Sequence, residues 1–443
     1  MENVTNENVC LEEVADKEHF DRVLALALDL CGGLLTCGAS VNRVEIACQK
    51  ICLAFGAKEV NVFAFPSIIQ ASIKLADGGE VSQMKRIYSS FNNFHKLEVL
   101  NQLSRDICEG KYDEETARTV LDDALANTYY KLPVVVAGGG IAAGAFTVFF
   151  GGSIIDGIPA MLIGFLMTYL NFVLSGRDFN GYARTFMLSV IGGISSVILS
   201  WLFCLCGLEC NCSMVMIGTI MVVIPGLLVC NAVRDMFAGD LFSGSFELLN
   251  GILTTLAIAG GYGVSLFALK SIANLSDAVE RVGVEYYTYI MISCIIGSGG
   301  FSIMFNCHIK KLVIAMANII VTFVIYLLME AYLGNMFIDT LVATLFAATA
   351  GEIMARVFKA PSTIFMVPAI MAFVPGGSLY YAISNAISGN AAEAAEWGKT
   401  ACLIFLGIAV GISVITAIFQ LINPVSKRIN MLMKQNINKD NGK

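Results

Sequence analysis

Asn231, Arg234, Asp235 and Asp240 closely follow the dipeptide Pro225-Gly226, and Glu247 enters the next apolar run. The same frame returns 150 positions later as Pro375-Gly376, where Ser384, Asn385 and Asn390 take the places of Arg234, Asp235 and Asp240. A carboxylate at such a place can take up a proton or face an ammonium group, and a guanidinium can face a carboxylate. Proline lacks the backbone N–H and glycine tolerates altered backbone, so each dipeptide can interrupt a helix and free polar groups for a solute or ion. A kink used only for helix packing is the alternative. Charge held inside a membrane costs about 2.5 kcal/mol or more, so the depth of Asp235, Asp240 and Glu247 decides whether they act or merely cap a solvated loop. One copy carries titratable carboxylates where the other carries neutral hydrogen-bonding groups. Asp240, with Asp235 or Glu247, is the candidate for a coupling proton or for the solute's ammonium group, and Arg234 for its carboxylate.

These segments sit in a chain of 443 residues that is 56% hydrophobic and 14% charged, with a mean hydropathy of +0.72. From residue 132 onward, apolar runs near the ~20-residue crossing length follow one another. They cover 132–151, 154–174, 185–206, 213–231, 247–270, 286–306, 312–330, 338–357, 362–384 and 399–422. In hydrocarbon the backbone must satisfy itself, so ten membrane helices are expected. Residues 1–131 hold 13 Lys/Arg and 20 Asp/Glu, while the remainder is neutral. The acidic balance therefore belongs to a soluble region, and nothing supports a nucleic-acid partner. Met1–Asp21 lacks a basic start followed by an apolar stretch, so no signal peptide is expected.

If the N-terminal region is cytoplasmic, inner loops and tail hold twelve Lys/Arg and outer loops three, Lys270, Arg281 and Lys399. That asymmetry predicts both termini inside, in a cell membrane. Five helices per repeat is an odd number, so the second copy runs through the membrane upside down. Gly144-Ala-Phe aligning with Gly299-Gly-Phe, and Thr185 with Thr340, adds weak support. Inverted repeats place solute sites between halves at interrupted helices. The expected organisation is an α+β domain over 1–130, a five-helix repeat over 131–270, a second over 286–425, and a basic tail over 426–443.

Within the first region, helices are expected over 18–37, 40–55, 85–109 and 113–130, the last opening on Asp113-Glu-Glu. Strands are expected over 58–64 and 67–76, with a third after the turn Asp77-Gly78-Gly79. Arg43 and Glu45 are expected to cap or cross-link this domain, with solute contact the alternative. Glu352 and Arg356 have i,i+4 spacing and suit a pair lining a polar path or an interfacial ion pair. Asp339 and Glu330, at helix ends, are expected in solvent, and His308 in a loop. Cys204, Cys206, Cys210 and Cys212 lack a standard zinc spacing and read as small apolar filler.

Gly38-Ala-Ser-Val-Asn-Arg43-Val-Glu45, Val62-Phe-Ala-Phe-Pro66-Ser67-Ile, and the stretch from Pro225-Gly226 to Asp240-Leu-Phe-Ser-Gly244 together resemble the threonine/serine exporter family. The likeness runs from about residue 20 to 422. Some relatives divide the membrane helices between two polypeptides; here both parts are fused. The resemblance implies export of small amino acids driven by an ion gradient, the ion most simply a proton. Relatives linked to dicarboxylate export leave succinate-like solutes open.

A membrane-embedded hydrolase is the competing class. The chain has no His-Glu-x-x-His and no Gly-x-Ser-x-Gly, and Ala238-Gly239-Asp240 lacks the first glycine of the Gly-x-Gly-Asp pattern of intramembrane aspartyl proteases. Gly398-Lys399-Thr400 resembles a phosphate loop only superficially, because position 393 is Glu where that motif needs Gly. No cofactor, metal or nucleotide is expected. The expected partners are a small-molecule solute, a coupling ion and the lipid bilayer; self-association stays open.

Overall fold

The computed structural model describes residues 2–75, 78–88, 92–175, 180–224, 228, 232, 235, 236, 239–269 and 284–422. Pro225, Gly226, Asn231, Arg234 and the segment 426–443 lie outside the described residues.

Val23, Leu24, Ala27, Leu30, Cys31 and Leu34 recur at three- and four-residue spacing and form the buried stripe of α1 (Glu2–Thr36). Val41, Val44, Cys48, Ile51 and Cys52 do the same for α2 (Val41–Ala54). Both helices cover a three-stranded antiparallel sheet, β1 (Glu59–Phe65), β2 (Ile68–Lys74) and β3 (Glu80–Arg86), in the order β1-β2-β3. Val60 pairs with Ile73 and Ile73 with Val81 on the buried face. Phe63, Gln70 and Met84 line up across the other face, which leaves Phe63 and Met84 exposed. The third strand displaces the start of the next helix. Lys85 and Arg86 pair with β2, and α3 (Phe94–Cys108) begins only where Asn93 accepts a hydrogen bond from Lys96 N at 3.0 Å. Asp113 likewise caps α4 (Glu114–Ala126) through Thr116 N at 3.0 Å.

The apolar runs form α5 (Leu132–Phe149), α6 (Ile154–Ser175), α7 (Gly181–Leu205), α8 (Cys212–Met221), α9 (Leu241–Ala268), α10 (Val284–Met304), α11 (Ile309–Tyr332), α12 (Met336–Val357), α13 (Thr363–Ile370), α14 (Gly376–Ser388) and α15 (Ala391–Ile422). Among the described residues nine helices are long and apolar enough to cross a membrane, counting Thr363–Ser388 as one, and Cys212–Met221 is a shorter apolar helix. Ten full spans are therefore not observed: the fourth expected run stops as a helix at Met221, ahead of residues outside the described set.

Two expected starts also move. α9 begins at Leu241 rather than 247, because Asp240 caps it through Ser243 N at 3.1 Å. α15 begins at Ala391 rather than 399, directly after Gly389 closes α14 with φ 86°. In both cases the helix outruns the expected run, because Ser243, Gly244 and Ser245 dilute the apolar start of α9, and Glu393 and Glu396 that of α15.

Helices approach through small residues, as packing in lipid requires. A Cβ on Gly300 of α10 would lie 2.7 Å from Gly138 O and 2.7 Å from Ala142 N of α5. Packing in the two sets of helices corresponds: α7 lies on α9 as α12 lies on α15, and α8 contacts α6 and α7 as α13 contacts α11 and α12. Thr363–Ser388 runs through the middle, with 83% of its apolar window buried against 33–44% for the other eight. It is interrupted by a 3-10 turn at Met371–Phe373 and by Pro375.

Pro368 deprives α13 of an N–H, and Asn318 bonds beside that gap. Its Nδ2 donates to Phe365 O at 3.1 Å and to Ala347 O at 3.0 Å, tying α11 to α12 and α13. Asn318→Ala is expected to cost about 1–2 kcal/mol, the scale of interhelical hydrogen bonds in membranes. The thermal midpoint of the purified protein checks this; an unchanged midpoint contradicts it.

Candidate functional site

The N-terminal domain sits on one end of the bundle. Phe94 N donates to Phe305 O at 2.8 Å, Tyr130 N to Asn306 Oδ1 at 3.2 Å, and Arg105 Nη2 to Lys359 O at 3.1 Å. Glu98 pairs with Lys311, and Phe65 packs on Phe246 with ring centroids 5.0 Å apart. His308 caps α11 through Lys310 N and packs against Tyr129, whose ring also meets His95. The start of α9, the α10–α11 turn and the α12–α13 turn therefore all lie on the domain's side.

At this junction the domain and both sets of helices line a partly open cavity of about 330 Å³. From the domain come Ser40, Asn42 and Arg43. Gly38 makes their turn possible: its φ is 94°, and a Cβ there would meet Asn92 Oδ1 at 2.6 Å. From the bundle come Asp235, Glu352, Arg356, Ser362, Thr363, Thr416 and Phe419. Arg356 Nη1 donates to Glu352 Oε2 at 3.0 Å and its guanidinium lies 4.2 Å from the Phe419 ring centre. Asp235 is buried, Glu352 half-buried and Arg43 exposed. Thr363 Oγ1 is buried with no hydrogen-bond partner among the described residues.

Beside the cavity, Glu45 Oε1 accepts from Ala64 N at 2.9 Å. Burial pushes the Glu45 carboxyl above the usual carboxylate range; the Ala64 N–H opposes this and the negative charge of Asp240 adds to it. The charge of Asp240, at the cap of α9, thus reaches Glu45 of the domain across the junction. A raised folded-state pKa means that the protonated form suits the fold. Its stabilising contribution is full below the unfolded value of about 4.3 and is lost as pH rises through the folded value. Glu45→Gln keeps an acceptor for Ala64 N. It is expected to raise the thermal midpoint more at pH 8 than at pH 5; an equal or reversed gain contradicts the assignment.

The structure divides the expected residues into groups. Arg43, Asp235 and Glu352 meet at the cavity, with Glu45 and Asp240 beside it. Glu247 is half-buried further along α9. Pro375 and Gly376 are buried mid-bundle, where Gly376 N donates to Val374 O at 2.7 Å and a Cβ on Gly376 would lie 2.4 Å from Met221 Sδ. The end of α8 and the start of α14 therefore touch. Asn385 and Asn390 lie at the far end, since α15 runs about 40 Å from Asn390 back to the cavity at ~1.5 Å per residue. Asp339, expected in solvent, is 1% exposed, because α15 packs so closely on the first turn of α12 that a Cβ on Gly407 would meet Phe337 O at 2.9 Å.

Sequence reasoning missed Ser362 and Thr363, and also buried Asp156. Asp156 accepts from Ser153 N at 2.6 Å, Ser153 Oγ at 2.8 Å and Asn211 N at 2.7 Å. The Ser153-x-x-Asp156 spacing was its available signal.

Among the described residues, nine helices long and apolar enough to cross a membrane, with a charged cavity under a folded domain, mark a multi-pass membrane protein. A family model described as "Putative threonine/serine exporter" matches residues 25–269, and one described as "Threonine/Serine exporter, ThrE" matches residues 290–418. The chain belongs to the threonine/serine exporter family. No curated protein and no solved structure matches it.

Proposed function

We propose that this protein exports threonine and serine across the cell membrane as a secondary carrier, driven by the proton gradient, with both termini cytoplasmic. One observation carries the reading: the segments that follow the two Pro-Gly dipeptides close at one 150-residue offset, on opposite ends of the bundle. Asp240 N donates to Asp235 O at 3.0 Å, and Asn390 N to Asn385 O at 2.9 Å. Gly239 and Gly389 precede these donors with φ 97° and 86°. The cap form also follows Gly38, Gly56, Gly110, Gly151 and Gly207, so it is the shared offset and the opposite ends of the bundle that support two inverted halves of five helices each. The matching helix pairs support the same reading.

Asp235, Asp240, Glu247 and Glu45 lie on the domain's side, while Asn385 and Asn390 occupy the other. A proton can bind the carboxylate side and has no titratable counterpart in the second cap. Pro375-Gly376 supplies a backbone break in the second half, and Pro225-Gly226 is its counterpart in the sequence alone. Reconstituted liposomes test the reading, with threonine, serine and succinate loaded in turn under an imposed pH gradient. Movement of threonine and serine that follows the gradient is expected. Movement of succinate alone, or conversion of solute to a new product, would overturn it.

A further inference from the structure

We propose that the cavity between the N-terminal domain and the ends of α12, α13 and α15 is a recognition site for a zwitterionic, hydroxylated α-amino acid. Arg43 and Arg356 face the carboxylate, Asp235 and Glu352 face the ammonium group, and Thr363 pairs with the side-chain hydroxyl. The proposal rests on the export reading for its solute and goes beyond it by making the N-terminal domain part of the solute site.

Three observations carry it. Size comes first: about 330 Å³ is at the small end for ligand pockets and suits a solute of a few heavy atoms. Charge comes second. Two guanidinium groups and two carboxylates line the cavity among the described residues, a balanced set that matches a molecule with one charge of each sign. A dicarboxylate would instead bring like charge against Asp235 and Glu352. Arg356 is already held by Glu352 at 3.0 Å and by the Phe419 ring, so its guanidinium is oriented before a solute arrives.

The third observation is the Thr363 hydroxyl, buried with no partner among the described residues. A buried hydroxyl left unmade costs free energy, and a solute hydroxyl removes that cost. Valine has the shape of threonine without the hydroxyl, so it leaves Thr363 unsatisfied. Sites built this way discriminate by hydrogen bonding rather than by volume.

Calorimetric titration of the full-length protein in nanodiscs tests this, using L-threonine, L-serine, L-valine and succinate. Threonine is expected to bind at least about tenfold more tightly than valine or succinate, because the unsatisfied hydroxyl and the like charges penalise the competitors. Arg43→Gln and Glu352→Gln should each weaken threonine about tenfold or more, the scale of one charge-assisted contact, with Arg43→Lys recovering part of the loss. Thr363→Val should bring threonine and valine toward equal affinity while leaving valine binding unchanged, an outcome that misfolding cannot mimic.

Unchanged threonine affinity in Arg43→Gln and Thr363→Val would overturn the proposal, as would succinate binding as tightly as threonine or no threonine binding at all. Liposome counterflow separates this failure from that of the export reading. If the variants transport threonine with the parent KM, export stands and the cavity is not its recognition site. If the parent protein moves no amino acid, the export reading fails by itself.

Discussion

Asp240→Asn is expected to reduce gradient-driven threonine movement to background while the protein stays in the membrane at parent levels. Asparagine and aspartate are nearly equal as helix caps, so the bond to Ser243 N that starts α9 is retained. What the substitution removes is a titratable group whose charge acts on Glu45. Asp240→Ala is the contrasting variant: it also loses the cap, at about 1 kcal/mol, and should lower the thermal midpoint as well as transport. A second measurement ties the two carboxylates together. With Asp240 neutral, part of the push on the Glu45 carboxyl disappears, so the pH-dependent gain from Glu45→Gln should shrink in the Asp240→Asn background. Full gradient-driven transport in Asp240→Asn would remove Asp240 from the coupling step, and an undiminished Glu45→Gln effect would separate the two groups.

That pair illustrates which parts of the molecule were legible beforehand. Length and apolarity of successive runs announce membrane helices, because the requirement for internally satisfied backbone leaves little else. They do not announce helix length. The apolar run before Ala268 reads from 247, yet the helix starts at Leu241, because the Asp240 cap sets its start and Ser243, Gly244 and Ser245 dilute the apolar pattern there. Pro375-Gly376 marks a break by local chemistry, whereas its burial against Met221 depends on helices distant in sequence. The cavity is harder still. Arg43 and Glu352 come from different domains, and no local spacing brings them together; only the docking of α3 and the β1–β2 turn on the bundle does. Thr363 was invisible for a related reason. A hydroxyl at the first turn of a short helix reads as ordinary capping chemistry until its burial is known.

Gly300→Val is expected to prevent accumulation of folded protein, whereas Gly299→Ala, one residue earlier, is expected to be nearly neutral. Local alignment singled out Gly299 as the counterpart of Gly144, but close packing falls on Gly300. A Cβ there would press on Gly138 O and Ala142 N at 2.7 Å, backbone atoms that can yield only if α5 and α10 separate. At Gly299 the nearest atom is the flexible Met316 Cε at 3.6 Å, an ordinary contact. Overpacking commonly costs about 1–3 kcal/mol, and more when backbone rather than a side chain must move. The position adds to the penalty. α5 and α10 open the two sets of helices, and in lipid no hydrophobic force draws them together, so their seam depends on close approach of small residues. Gly300→Ala should already lower the thermal midpoint clearly, and valine, with two further carbons at the same point, should exceed what the bundle tolerates. Size-exclusion profiles after heating, recorded for Gly299→Ala, Gly300→Ala and Gly300→Val, rank the three. Equal behaviour of the two alanine variants would mean that the seam is loose, and that the halves do not meet through this contact.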